Sequence, residues 1–281
     1  MTFIEETITT TDGLRLYVRR REVDNARAEV VILHGFGEHS GRYGPLTDHL
    51  INHSYTVTGY DHRGHGLSDG LPGHIENFNE YEDDLHKIIS YVRDRSRSQN
   101  LYLIAHSMGG LIALRYIAKK GGGLSGAVIS APLIAVAVRV PAHKLMIARL
   151  SARLRPHMRL DNGINTNHLS RDREVGKAYA TDPLVNRKVS ARWFSEATRA
   201  MGEMNDLATQ ITIPVLVMHG TEDKLASVEA TKRFFEKIGS KDKELIIYPG
   251  YYHELFNEPE KHELYEQATQ WLAQREKSTA A

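Results

Sequence analysis

The chain has 281 residues, 41% apolar and 25% charged, with no cysteine. That length suits one α/β domain with an insertion and can bury a sizeable core. Lys and Arg number 36 against 35 Asp and Glu, a net +1, so no overall field selects nucleic acid, and the missing thiols exclude disulfides, thiolate catalysis and Cys-bound zinc.

The opening, Met1-Thr2-Phe3-Ile4-Glu5-Glu6, lacks the basic start and apolar stretch of a secretory signal. No apolar run approaches the roughly 18 residues of a membrane helix. Both points predict a soluble, cytoplasmic protein. Residues 14–20 alternate and predict an early antiparallel strand. Short apolar runs at 30–33, 56–60, 101–105, 127–130, 215–219 and 245–248 predict buried parallel strands. Helical patterns at 45–52, 81–95, 111–119, 228–238 and 259–275 accompany them, and Pro259 suits the first turn of the last. This alternation predicts an α/β fold, a mostly parallel sheet with helices on both faces.

The rhythm breaks between Pro132 and Ile211. That stretch has no clear strand and several helical pieces. It reads as a helical lid, 132–210, inserted into a core made of 1–131 and 211–281. Residues 133–210 hold thirteen Lys/Arg and seven Asp/Glu, a net +6, which leaves −5 for the rest. Apolar residues at 133–138 and 145–150 interleave with Arg139, Lys144, Arg149, Arg153 and Arg155. Such a stretch suits transient contact with an anionic membrane surface; the competing expectation is packing on the core with solvated arginines. The tail 277–281 is expected to fray.

The most informative segment is Leu101-Tyr102-Leu103-Ile104-Ala105-His106-Ser107-Met108-Gly109-Gly110. A strand that turns sharply into a helix presents a serine Oγ at its tip, and needs small residues two before and two after. Gly109 meets that need, and Ala105 meets it with one extra methyl. A serine hydroxyl also needs a base and an acid that orients the base. On this topology they follow in the order Asp or Glu, then His. Asp223 lies just past the 215–219 strand, and His253 just past the 245–248 strand. Both therefore fall at the carboxyl ends of strands, where open parallel sheets place their sites. Asp223 is preferred over Glu222 and Asp206, and His253 over the other fourteen histidines. His106 is expected to point away from the nucleophile and to pack or orient the turn.

A tetrahedral intermediate needs two backbone donors for its oxyanion. Met108 supplies one, and the glycine-flanked Phe36 in Leu33-His34-Gly35-Phe36-Gly37 the other. The run from Gly35 to Gly41 fails the dinucleotide spacing and has no Walker lysine. His62 and His65 lack helical i, i+4 spacing and a carboxylate cluster, so a structured turn is expected there rather than a metal. An aspartate at 107 would suit dehalogenase or epoxide hydrolase chemistry; the serine sets both aside.

Three segments together resemble the monoacylglycerol lipases and lysophospholipase-like serine hydrolases of the α/β-hydrolase fold. They are 34–43 (HGFGEHSGRY), 60–70 (YDHRGHGLSDG) and 106–110 (HSMGG). The similarity extends into the inserted piece through Leu169-Ser170-Arg171 and 179–184. It implies a triad of Ser107, Asp223 and His253, oxyanion donors Phe36 and Met108, and glycerol contacts from Glu38, Arg42 and Tyr179. An internal Glu38–Arg42 ion pair is the plainer expectation for those two, and both can hold. The resemblance implies a lipid ester substrate, an acyl-enzyme, and no metal or organic cofactor. It departs at Ala105, at Phe256, where animal enzymes carry a second histidine near the headgroup, and in the absent reactive cysteines. Alternatives are a lysophospholipase, a carboxylesterase or thioesterase, or a non-catalytic small-molecule receptor. Acyl length, position on glycerol and oligomeric state are not written in these motifs.

Overall fold

The computed structural model describes residues 2–121, 123–138, 146 and 150–276. The chain opens with a hairpin of β1 (Thr2–Thr9) and β2 (Arg15–Glu22). It then alternates β3 (Ala28–Leu33), α1 (Gly44–Asn52), β4 (Tyr55–Tyr60), α2 (Asn79–Arg95), β5 (Leu101–His106), α3 (Met108–Lys120) and β6 (Gly126–Ser130). The segment after β6 holds β7 (Arg159–Asp161), α4 (Arg173–Thr181), β8 (Lys188–Ser190) and α5 (Ala191–Leu207). Then come β9 (Val215–Gly220), α6 (Val228–Lys237), β10 (Lys243–Tyr248) and α7 (Lys261–Ala273).

Eight strands form one sheet in the order β1-β2-β4-β3-β5-β6-β9-β10. From β4 to β10 every neighbouring pair is parallel; only the hairpin and the β2–β4 pair are antiparallel. Period two divides the buried side chains between two cores. Val30, Ile32, Ile104, Val128 and Leu216 face α1 and α7. Val31, Leu33, Leu103, Ile129 and Val217 face α2, α3 and α6. Each such side chain contributes about 1.5–3 kcal/mol on burial. The strands therefore read as unbroken apolar runs in the sequence.

Three expectations need correction. β1 is an extra strand. Its apolar residues do not alternate, and as an edge strand it buries only Ile8. The inserted segment does contain strands: β7 and β8 pair over three residues each, too short to leave a periodic signal. The last helix begins at Lys261, so Pro259 precedes its first turn. Among the described residues, the segment 132–210 contributes no strand to the large sheet. Of its basic residues, Arg139, Lys144 and Arg149 lie outside the described residues, as do Leu145, 147–148 and the tail 277–281. Among the described residues no helix is long and apolar enough to cross a membrane.

Arg115 ties α5 to α2 and α3. Its side chain is fully buried on α3. Nε donates to Glu82 on α2 at 2.6 Å, and Nη1 to the Ala200 carbonyl and Glu203 on α5 at 3.1 and 2.7 Å. A buried charge left without such partners costs about 3–5 kcal/mol, so α5 is held where its Trp193 and Phe194 can wall the cavity described next.

Candidate active site

β5 runs straight into α3, and Ser107 is the single residue between them, with φ 52° and ψ −115°. That backbone is sparsely populated and stores about 1–3 kcal/mol of strain. Gly109 makes it possible: a Cβ there would lie 2.5 Å from the Leu33 carbonyl oxygen. Ala105, in place of the usual glycine, is buried without preventing the turn. Backbone bonds brace the strain, with Ser107 N–H donating to the Ser130 carbonyl at 3.0 Å and the Ser107 carbonyl accepting from Leu133 at 3.0 Å.

The loops after β9 and β10 bring the other two groups to this tip. Ser107 Oγ–H donates to His253 Nε2 at 3.0 Å, and His253 Nδ1–H donates to Asp223 Oδ2 at 2.7 Å. Asp223 is further held by the Leu225 and Ala226 N–H groups on Oδ1 at 2.7 and 2.9 Å. All three side chains are buried. Burial alone would lower the His253 pKa, but the Asp223 carboxylate outweighs it and raises the ring above its ordinary value. Burial opposes ionisation of Asp223, yet the two histidines beside it hold the carboxyl well below the usual range. Glu222 and Asp206 take no part; Glu222 pairs with Lys224 at the surface.

One histidine is placed differently from expectation, and another was overlooked. His106 lines the same cavity as Ser107 and packs its ring 4.7 Å from that of His253. Burial, then the neighbouring His253, pushes its pKa down to about 4, so it stays neutral and does not compete as the base. His219 drew no attention in the sequence. It is fully buried on β9, with Nε2–H donating to Asp223 Oδ2 at 2.9 Å and Nδ1 accepting from Thr231 at 3.1 Å.

Phe36 and Met108 flank Ser107. Met108 opens α3, where an N–H has no intrahelical acceptor and the helix dipole favours negative charge. Phe36 lines the cavity and packs on Trp193 at 4.2 Å. Beneath its loop, His62 N–H donates to His34 Nε2 at 2.9 Å and His62 Nε2–H to the His34 carbonyl at 3.0 Å. His65 Nδ1–H donates to the Arg63 carbonyl at 3.0 Å. His62 and His65 thus brace a turn.

The cavity holds about 310 Å³. Glu38, Tyr179, Glu254 and Asn162 make a polar end grouped around Arg42 and Gly37; the remaining lining is mostly apolar, with Leu133, Ile164, Leu169, Trp193, Phe194 and Met201, and includes Thr198 and Lys224. Glu38 Oε1 accepts from Gly35 N–H and Tyr43 at 2.6 and 2.7 Å. Arg42 bridges Glu38 and Glu254, reaching Glu254 through two nitrogens at 2.8 and 2.7 Å. The internal ion pair is therefore present, and Arg42 sits behind the wall. Tyr179 Oη is buried and has no hydrogen-bond partner among the described residues. Gly37, at φ +80°, lets that hydroxyl approach: a Cβ there would lie 2.8 Å from it. Phe256 packs in the core near Tyr265 and does not line the cavity, so it does not alter the polar end as expected. Glu254 was missed as a site residue, because its partner Arg42 lies 212 positions away.

Parallel sheet, strained serine and hydrogen-bonded Ser–His–Asp chain define a serine hydrolase of the α/β-hydrolase fold. The chain belongs to the family described as serine aminopeptidase, S33, which it matches over residues 24–260. It is 32% identical over 247 residues to a monoacylglycerol lipase of Mycolicibacterium smegmatis, covering 88% of each chain. It is 30% identical over 251 residues to phospholipase YtpA of Bacillus subtilis, covering 88% of this chain and 95% of that one. The solved monoacylglycerol lipase of Paleococcus ferrophilus is 31% identical, with a TM-score of 0.84 over 98% of this chain and all of the other.

Proposed function

We propose that the protein hydrolyses monoacylglycerols to glycerol and a free fatty acid through an acyl-enzyme on Ser107. The observation that carries this reading is a cavity that holds Ser107 together with a polar cluster, Glu38, Tyr179 and Glu254, and a larger apolar lining. In the proposed cycle His253 takes the Ser107 proton as Oγ attacks the acyl carbonyl. Phe36 and Met108 N–H groups hold the oxyanion, each worth about 3 kcal/mol of barrier. His253 then protonates the departing glycerol oxygen as the ester C–O bond breaks. A water deprotonated by His253 releases the fatty acid by the reverse sequence. Asp223 fixes the imidazole tautomer and stabilises its charged form. Glu38 and Tyr179 face the glycerol end, and Arg42 holds Glu38 in place.

Ester hydrolysis is favoured over aminopeptidase action by the state of the two carboxylates. A free substrate ammonium wants an unengaged acceptor, whereas Glu38 and Glu254 already accept at both oxygens. A second reading, hydrolysis of a phospholipid ester, draws on the likeness to phospholipase YtpA.

One substrate panel tests these readings: monoacylglycerols of graded chain length, lysophospholipids, acyl-CoA thioesters and aminoacyl anilides. Monoacylglycerols are expected to give the highest kcat/KM; preference for another class displaces them. Unchanged activity in Ser107→Ala, or no fluorophosphonate labelling of Ser107, rejects the acyl-enzyme itself.

We also propose that residues 132–210 act as a lid touching a lipid surface. Val138, Met146, Leu150 and Leu154 are each more than half exposed, which favours contact over packing for this stretch. Anionic liposomes should cosediment the wild type and release an Arg153→Glu, Arg155→Glu variant. Equal, negligible binding by both ends the idea.

A further inference from the structure

Well away from the cavity, α1 packs against α7. His49 lies in the last turn of α1 and His53 caps its C-terminus, an i, i+4 pair. Glu266 comes from α7. Its Oε2 lies 3.7 Å from His49 Nε2 and 3.6 Å from His53 Nε2. Those separations are too long for hydrogen bonds. They approach the roughly 3.3 Å between ligand atoms around a tetrahedral ion with 2.0–2.1 Å bonds. All three donor groups lie within 4.8 Å of one another.

Three further features favour an ion over a simple ion pair. Among the described residues, His49 Nε2 is a buried nitrogen without a hydrogen-bond partner. His53 Nδ1–H donates to the His49 carbonyl at 2.8 Å, which fixes the tautomer and leaves the Nε2 lone pair toward Glu266. Glu266 Oε1 accepts from Gln270 at 2.8 Å, which turns Oε2 toward the histidines. These are the supporting contacts that orient metal ligands elsewhere.

We propose that His49, His53 and Glu266 form a binding site for a divalent transition-metal ion of the zinc type, clipping α1 to α7. Two imidazoles and one carboxylate are a borderline donor set that suits Zn²⁺ or Co²⁺ and disfavours Ca²⁺ and Mg²⁺. The fourth position is open to water. The ion takes no part in the ester chemistry. It joins the helix that follows the Phe36 loop to the helix that follows the His253 loop. A second His–Glu–His group, His74, Glu76 and His157, is less suited. Both nitrogens of His74 are already engaged, by Ser190 and Glu76, and Arg192 lies 3.4 Å from Glu76.

The test uses the full chain stripped with a chelator and titrated with Co²⁺, then Zn²⁺. Expected are saturation near one equivalent, visible cobalt bands of low-symmetry coordination, and their loss on adding Zn²⁺. The melting temperature should rise by roughly 5 °C at metal a hundredfold above Kd. His53→Gln and Glu266→Gln, both at side chains more than a third exposed, should each weaken binding at least roughly tenfold. Both should melt like the wild type without metal, and His74→Gln should bind normally. No saturable binding overturns the proposal. So does binding untouched by His53→Gln and Glu266→Gln, or binding lost in His74→Gln instead.

Discussion

His219 and His253 donate to the same oxygen of Asp223, one from behind and one from the cavity side. The acid is thus the centre of a chain running from Thr231 through His219, Asp223 and His253 to Ser107. His219 → Leu removes one donor and leaves Asp223 a stronger acceptor for imidazolium. The acid limb of kcat/KM should then move up by roughly half a unit, with a stability loss of about 1–3 kcal/mol from the stranded Thr231 hydroxyl. A pH–rate profile beside a urea melt measures both; an unmoved limb leaves His219 a packing residue.

Asp223→Asn tests the acid directly. Its amide disrupts the orientation of the His253 ring, and kcat should fall by roughly 10⁴-fold. Circular dichroism should remain that of the wild type. Near-normal turnover would reject Asp223 as the third member.

The pH dependence has a definite sign. As the proposed base, His253 would work only when neutral, and Asp223 raises its pKa above the ordinary 6.5. Activity should therefore be full at alkaline pH and fall as pH drops, with a midpoint above 6.5. His106, at about 4, remains neutral through that range and adds no second step. Initial rates on a soluble short-chain ester across pH 5–9 give the midpoint; a value below 6.5 contradicts the arrangement.

The strain at Ser107 leads to a stability prediction. Glycine tolerates φ 52° without penalty, although it loses about 0.5–1 kcal/mol through chain entropy. Ser107→Gly should abolish hydrolysis and yet melt a few degrees higher than the wild type. Calorimetry decides, and a lower melting temperature would mean that the backbone braces carry no strain.

Tyr179→Phe removes a buried hydroxyl that has no partner in the free protein. Stability should stay the same or rise slightly. KM for a monoacylglycerol should rise about tenfold, the scale of one lost polar contact, while a simple aryl ester should be unaffected. Equal effects on both substrates would remove Tyr179 from headgroup recognition.

Much of this arrangement was legible in the sequence because it is local. Ala105, Ser107 and Gly109 form the turn within five residues, and unbroken apolar runs mark strands buried on both faces. Asp223 and His253 could be chosen because each follows a strand. What stayed hidden depends on partners distant in the chain. Arg115 meets Glu203 across 88 positions, and Arg42 meets Glu254 across 212. His219 looked like an ordinary strand residue because nothing nearby signals that it faces Asp223. The β7–β8 pair was invisible at three residues a strand. The spacing of His49 and His53 was readable, but Glu266, which gives it meaning, comes from the last helix.

Arg42 ties the loop after β3, through Glu38, to the loop after β10, through Glu254, with a single guanidinium. Loss of that cation would strand two buried carboxylates side by side, so the two loops would loosen together rather than one at a time.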